Sequence, residues 1–203
     1  MLRIAVLGSG RGSNFQAILS AVQSGALPKV RICLVISNNS SAGILEIARS
    51  NGIPALHLSQ KAFATEEDFL QAMLEAFRVH DVNFVVLAGY MKRVHPEVIR
   101  RFRGRIVNIH PALLPKFGGQ GMYGHHVHEA VIAARETVSG ATVHIVDEEY
   151  DRGPIVLQRT VEVSPADTPE TLAAKVLTIE HELYPDALRL IAEGETPGSQ
   201  TSH

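Results

Sequence analysis

The chain has 203 residues, a length that suits one α/β domain. Hydrophobic residues make up 45% and charged residues 20%, enough apolar material for one sizeable core. A net charge of −2 without a long basic run argues against a nucleic-acid surface, and no apolar stretch reaches the length of a membrane span.

In chain order, Leu2–Leu7 reads as a first strand rather than a secretory signal, because it has no true apolar h-region and no cleavage site. The loop G-S-G-R-G-S-N, residues 8–14, follows. A helix comes next, with Ile18, Leu19 and Val22 at helical spacing, ended by Gly25 and Pro28. Arg31–Ser37 is a second strand. It carries Cys33, the only cysteine, which is read as a buried inert thiol. One cysteine cannot form an internal disulfide, which suits a reducing compartment, so the chain is expected to be cytoplasmic. A helix near Ala42–Asn51 and a short strand, Ala55–Leu58, come next. The run T-E-E-D, residues 65–68, starts a capped helix with Phe69, Met73, Leu74 and Phe77 on one apolar face. Asn83–Ala88 is a mostly apolar run, the pattern of a parallel strand buried on both faces. Pro96 opens another helix, and 105–110 forms a strand.

This alternation predicts an open, mostly parallel Rossmann-like α/β sheet flanked by helices. After it come a Gly/Pro-rich loop over 111–125, a helix over His126–Arg135, an antiparallel hairpin of strands 141–147 and 155–163, and a final helix from Pro169 to about Ala192. A single domain over 1–192 is expected, with halves meeting near 104–105 and a flexible tail over 193–203.

Two stretches carry candidate chemistry. A strand, the glycine-rich loop and a helix start make a cradle for an anion, since glycines let backbone N–H groups approach and the helix N-terminus favours negative charge. It is neither a dinucleotide fingerprint nor a P-loop, and a tight strand–helix turn capped by Ser13 or Asn14 is the alternative. In V-N-I-H-P, Asn108 and His110 share one face of the strand and Pro111 stops the ladder. Each residue alone reads as structural. Together, at the carboxyl end of a late strand, they stand where open α/β sheets bind ligands. A carboxylate partner is available among Asp147, Glu148, Glu149 and Asp151, of which Asp151, before R-G-P, has the most defined turn. His125, His126, His128 and His144 lack a metal-ligand spacing, so no metal is expected.

With N-I-H-P-A-L-L-P-K (108–116) and D-R-G-P (151–154) in hand, the chain resembles the folate-dependent formyltransferases over nearly its whole length. G-S-G-R-G-S-N is similar to the loop of their glycinamide ribonucleotide branch. The resemblance implies transfer of the formyl group of 10-formyltetrahydrofolate, a co-substrate, to the amine of glycinamide ribonucleotide in purine synthesis. It implies Asn108, His110 and Asp151 as the catalytic trio. Gly12, Ser13 and Asn14 would hold the substrate phosphate, and Glu180 would meet its ribose. Met91, Lys92, Val94, Asp147, Thr142 and His144 would lie on the folate side, with loop 147–151 closing over the pterin. The small molecules are the implied partners, without nucleic acid, membrane or metal; monomer and homodimer both remain open. Three departures stand out: the long segment 118–128, which holds the Gly118–Gly124 loop; Lys92 where many members have Arg; and Glu66 where some have Arg.

The implied chemistry is direct attack of the amine through a tetrahedral intermediate. Asn108 and a protonated His110 stabilise its oxyanion, and Asp151 keeps His110 cationic and assists proton transfer. Rivals are a formyltetrahydrofolate hydrolase and a methionyl-tRNA formyltransferase. Members of those kinds carry an extra N-terminal regulatory or C-terminal tRNA domain, which this chain is not expected to have. A non-catalytic nucleotide-binding module is a third alternative, and it would leave the trio without a joint purpose.

Overall fold

The structure is a computed structural model describing residues 1–195. The fold is α/β, with strand order β3-β2-β1-β4-β5-β6-β7. The strands are β1 (Leu2–Leu7), β2 (Val30–Ser37), β3 (Ala55–His57), β4 (Phe84–Leu87), β5 (Ile106–His110), β6 (Val138–Ile145) and β7 (Ile155–Glu162). The helices are α1 (Ser13–Gln23), α2 (Gly43–Ser50), α3 (Glu66–Val79), α4 (Pro96–Arg101), α5 (His125–Ala133) and α6 (Pro169–Glu193). The expected tail lies, beyond Glu195, outside the described residues. The chain divides into two compact units, Met1–Ile106 and Val107–His203.

In the first unit, β1 pairs in parallel with β2 and β4, and β2 with β3. All four residues of β4 are buried, as a strand covered on both faces requires. Helix α1 buries Phe15, Ile18 and Leu19, each contributing about 1.5–3 kcal/mol of hydrophobic stabilisation. Helix α3 starts as its sequence predicts: the Thr65 hydroxyl accepts the Asp68 N–H at 3.0 Å, and three acids occupy the positive first turn. Its buried face keeps Met73 and Phe77 of the expected four and adds Leu70 and Ala76. Leu70, Met73, Ala76 and Phe77 are buried, while Phe69 and Leu74 are half-buried. Phe69 packs edge-on against Phe63 instead, 5.7 Å between centroids. Helix α4 opens at Pro96 after His95, whose Nδ1 accepts the Glu97 N–H. Cys33 is buried, which pushes its thiol pKa up and suits an inert role.

In the second unit, β5 and β6 are antiparallel, as are β6 and β7. The hairpin expected from the sequence is present, but β6 begins at Val138, because Val138–Gly140 also pair with β7. Helix α5 begins one residue earlier than expected and ends at Ala133. A register shift at Val143/His144 marks a bulge, which locally re-aims the strand. Helix α6 starts in a capping box of Thr168 and Thr171 and buries Leu172, Val176, Leu183, Tyr184 and Leu188.

The units differ in charge. Residues 1–106 hold 13 Lys/Arg against 7 Asp/Glu, a formal +6, and residues 107–203 hold 6 against 14, a formal −8. The near-neutral total hides this contrast.

Candidate functional site

Candidate groups occur in each unit. In the first, the loop after β1 is pinned by backbone bonds: Ser9 N–H donates to Gly89 O at 3.0 Å, and Ile44 N–H to Gly10 O at 3.2 Å. Gly12 precedes α1 with φ of 86°, and a Cβ there would stand 2.8 Å from the Ile44 Cα. Only glycine meets both demands. No side chain caps α1 through a hydrogen bond, and a helix start carries backbone N–H groups beyond the reach of the intrahelical ladder. A small anion satisfies such groups. The glycines thus have packing reasons as well as an anion-binding one. In the loop after β4, Met91 N–H donates to Ser9 Oγ at 2.8 Å.

In the second unit, β5 delivers Asn108 and His110 to one face, and the turn after β6 brings in Asp151. His110 is 3% exposed and its Nε2–H donates to Phe117 O at 2.8 Å. That bond leaves Nδ1 facing Asp151 Oδ2 at 3.6 Å. The Asp151 carboxylate also accepts the Gly119 N–H at 2.9 Å and lies 3.4 Å from His144 Nε2. His144 Nδ1–H donates to Ile145 O at 3.0 Å, and its Nε2 lies within reach of both Asn108 and Asp151. Asn108 Nδ2, which carries two N–H groups, stands 3.3 Å from His144 Nε2. Asp151 is held at φ of 55°, a left-handed conformation that side chains rarely adopt. Gly153 follows because a Cβ there would meet the Ile145 carbonyl at 1.9 Å. A cavity of about 330 Å3 opens beside Asp151 between Leu114, Gly118, Tyr150 and Ile155, a volume suited to a small molecule.

Electrostatics corrects one expectation. Burial pushes the His110 pKa down, and although Asp151 and the Phe117 carbonyl pull it up, the net is a lowered value. The resting imidazole is therefore neutral at neutral pH rather than held cationic. For Asp151, burial works against ionisation. The His144 ring, the Gly119 N–H and the His110 ring outweigh it and hold the carboxyl below the usual carboxylate range. The site rests as a carboxylate facing the unprotonated nitrogen of a buried imidazole.

Residues 2–188 match the family model described as Formyl transferase. The chain belongs to the formyl transferase family. It is 44% identical to the chloroplastic phosphoribosylglycinamide formyltransferase of Arabidopsis thaliana over 94% of this chain and 65% of the relative. It is 44% identical to the chloroplastic phosphoribosylglycinamide formyltransferase of Vigna unguiculata, over 94% of this chain and 61% of the relative. The chain thus spans under two thirds of the length of these plant relatives. Among solved structures, it is similar to glycinamide ribonucleotide transformylase 1 of Symbiobacterium toebii, with 42% identity, a TM-score of 0.88, and coverage of 96% of this chain and 89% of the other.

Against this formyl transferase fold, the residues singled out by sequence fall into three groups. Asn108, His110, Asp151 and His144 come together. Gly12, Ser13 and Asn14 form the start of α1, with Met91 and Lys92 exposed and Val94 buried in the loop after β4. Thr142 is different: its hydroxyl donates to Ala112 O and accepts from Leu114 N–H and Gln158 Nε2, so none of its capacity remains for a folate. Likewise both nitrogens of His144 have partners within the protein. Asp147 is exposed and accepts the Glu149 N–H, shaping the loop. Glu180 is 7% exposed on α6. His125 and His126 pair with Glu129, and His125 also with Glu170. His128 is buried, and that together with His125 and His110 pushes its pKa to about 4. Among the described residues, no group of three or more His, Cys, Asp or Glu is placed to hold a metal, and no helix is long and apolar enough to cross a membrane. Sequence reading missed Gln158 and the carbonyl of Phe117. The available signal for Gln158 was a polar residue two positions after buried Val156 on the same strand face.

Proposed function

We propose that the chain transfers the formyl group of 10-formyltetrahydrofolate to the amine of glycinamide ribonucleotide, in the cytoplasm and as a step of purine synthesis. The products are N-formylglycinamide ribonucleotide and tetrahydrofolate. The carrying observation is the cluster of buried His110 with half-buried Asn108 and Asp151, in a chain whose relatives bear that activity in their names. The glycine loop supports a phosphate-bearing acceptor: Gly12, Ser13 and Asn14 offer backbone N–H groups to it, and Glu180 is assigned to its ribose. Met91, Lys92, Val94 and the loop around Asp147 are assigned to the folate. The lone buried Cys33 suits a reducing compartment.

The amine nitrogen attacks the formyl carbon, a new C–N bond forms and the carbonyl oxygen takes the negative charge. An N–H of Asn108 stabilises that oxygen. The oxyanion adds a second negative charge near His110, which raises its affinity for a proton just as the charge develops. The cation is thus favoured in the transition state, beside Asp151, and not in the resting site. The ammonium proton of the intermediate passes through the Asp151–His110 pair to the departing folate nitrogen, and the old C–N bond breaks. No group on the protein is acylated.

The test is release of tetrahydrofolate from 10-formyltetrahydrofolate, with and without glycinamide ribonucleotide. Release that requires the ribonucleotide is expected. Equal release without it would make the chain a hydrolase, and no release from folded protein would defeat both readings.

A further inference from the structure

The segment after β5 is held by one hydroxyl and one amide whose hydrogen bonds account for every available proton. Thr142 Oγ1 donates its only proton to Ala112 O at 2.6 Å. Its oxygen accepts Leu114 N–H at 3.1 Å and Gln158 Nε2 at 2.8 Å. Gln158 Nε2 has two protons, and the second goes to Leu114 O at 3.0 Å. The orientation of the Gln158 amide is therefore forced: both neighbours are acceptors, so the NH2 end must face them. The turn is clamped at Ala112 and Leu114. Three residues on, the Phe117 carbonyl takes the Nε2 proton of His110, and the Gly119 N–H reaches Asp151. Phe117 stands at φ of 56°, a left-handed conformation that non-glycine residues rarely adopt.

We propose that Gln158 is a positioning residue for His110. By donating both amide protons it fixes the Ala112–Leu114 turn. The turn sets the Phe117 carbonyl, and the carbonyl keeps the His110 proton on Nε2. Only that tautomer presents an unprotonated Nδ1 to Asp151. The kinetic half of the proposal rests on the formyl-transfer reading; the tautomer half does not.

Three variants separate this role from packing. Gln158→Met keeps the volume and loses both donors. Gln158→Glu keeps the shape and puts an acceptor against Leu114 O. Gln158→Ala loses both. All three are expected to lower kcat about tenfold, the scale of two neutral hydrogen bonds, with KM for either substrate little changed. Nitrogen-15 spectra of the imidazoles are expected to show His110 with its proton on Nε2 in the wild type, and a mixture of tautomers in Gln158→Met. A packing role would leave Gln158→Met near wild type in both readouts, and that result overturns the proposal. Should the variants not fold, the wild type decides. A His110 proton on Nδ1, or Gln158 amide protons exchanging as fast as exposed ones, defeats the idea. Absence of formyl transfer in the wild type would remove the functional reading while the nitrogen spectra still judged the tautomer.

Discussion

The first unit offers a ligand mostly backbone, and the second offers side chains. Residues 8–14 lead into a helix start that no side chain caps, in a unit with a formal charge of +6. The cluster around Asp151 presents an amide, two imidazoles and a carboxylate, in a unit with a formal charge of −8. A backbone cradle tolerates any small anion and takes its selectivity from charge and fit. A side-chain cluster takes its selectivity from donors and acceptors held in fixed places. The difference teaches where substitution is informative: in the second unit chemistry can be removed with the fold kept, while in the first the loop is itself packing.

The largest expected effect tests the second unit. Asp151→Asn keeps the shape and removes the proton-carrying charge, so turnover should fall about 10²–10⁴-fold with a nearly unchanged unfolding midpoint. Near-normal turnover would reduce Asp151 to a turn residue, and the contrast between the units would lose its chemical half.

A smaller effect concerns acid stability of the same unit. The folded-state pKa of His128, lowered to about 4, means that the folded chain resists a proton the unfolded chain accepts. The stability is fully present above the ordinary histidine pKa of about 6.5 and is lost as pH falls towards about 4, by up to about 3 kcal/mol. Lowered His110 acts in the same direction. Urea midpoints at pH 7 and pH 4.5 should separate less in His128→Leu than in the wild type. An equal separation would assign the acid loss elsewhere.

The smallest effect tests the first unit. Gly12→Ala forces a Cβ into a left-handed position 2.8 Å from Ile44 Cα and should cost about 1–3 kcal/mol by thermal unfolding. It should also weaken binding of the ribonucleotide phosphate. Lost stability with phosphate affinity intact would mean that Gly12 serves packing alone.

Much of the fold was legible because it rests on local rules. The buried run N-F-V-V-L-A became β4, T-E-E-D became the capped start of α3, and D-T-P-E became the capped start of α6. On α3, Met73 and Phe77 were read correctly, but Phe69 finds Phe63 on its own flank, and periodicity cannot see a neighbour's aromatic ring. In the site, Asn108 and His110 were readable as an i, i+2 pair, and Asp151 as the acid before a rigid turn. Thr142 and His144 divide their hydrogen bonds among partners within the protein, a division that a sequence does not show.

By itself, then, the sequence determined the element order, the glycine loop and the residue types able to do acyl transfer, since these follow from spacing and chain stereochemistry. Tertiary structure alone decided the proton arrangement. Whether His110 rests neutral depends on burial against the Asp151 carboxylate and the Phe117 carbonyl, and where its proton sits depends on Phe117 O, seven residues on. Those balances arise from desolvation and from hydrogen bonds between distant segments, which have no signature in the local order of residues.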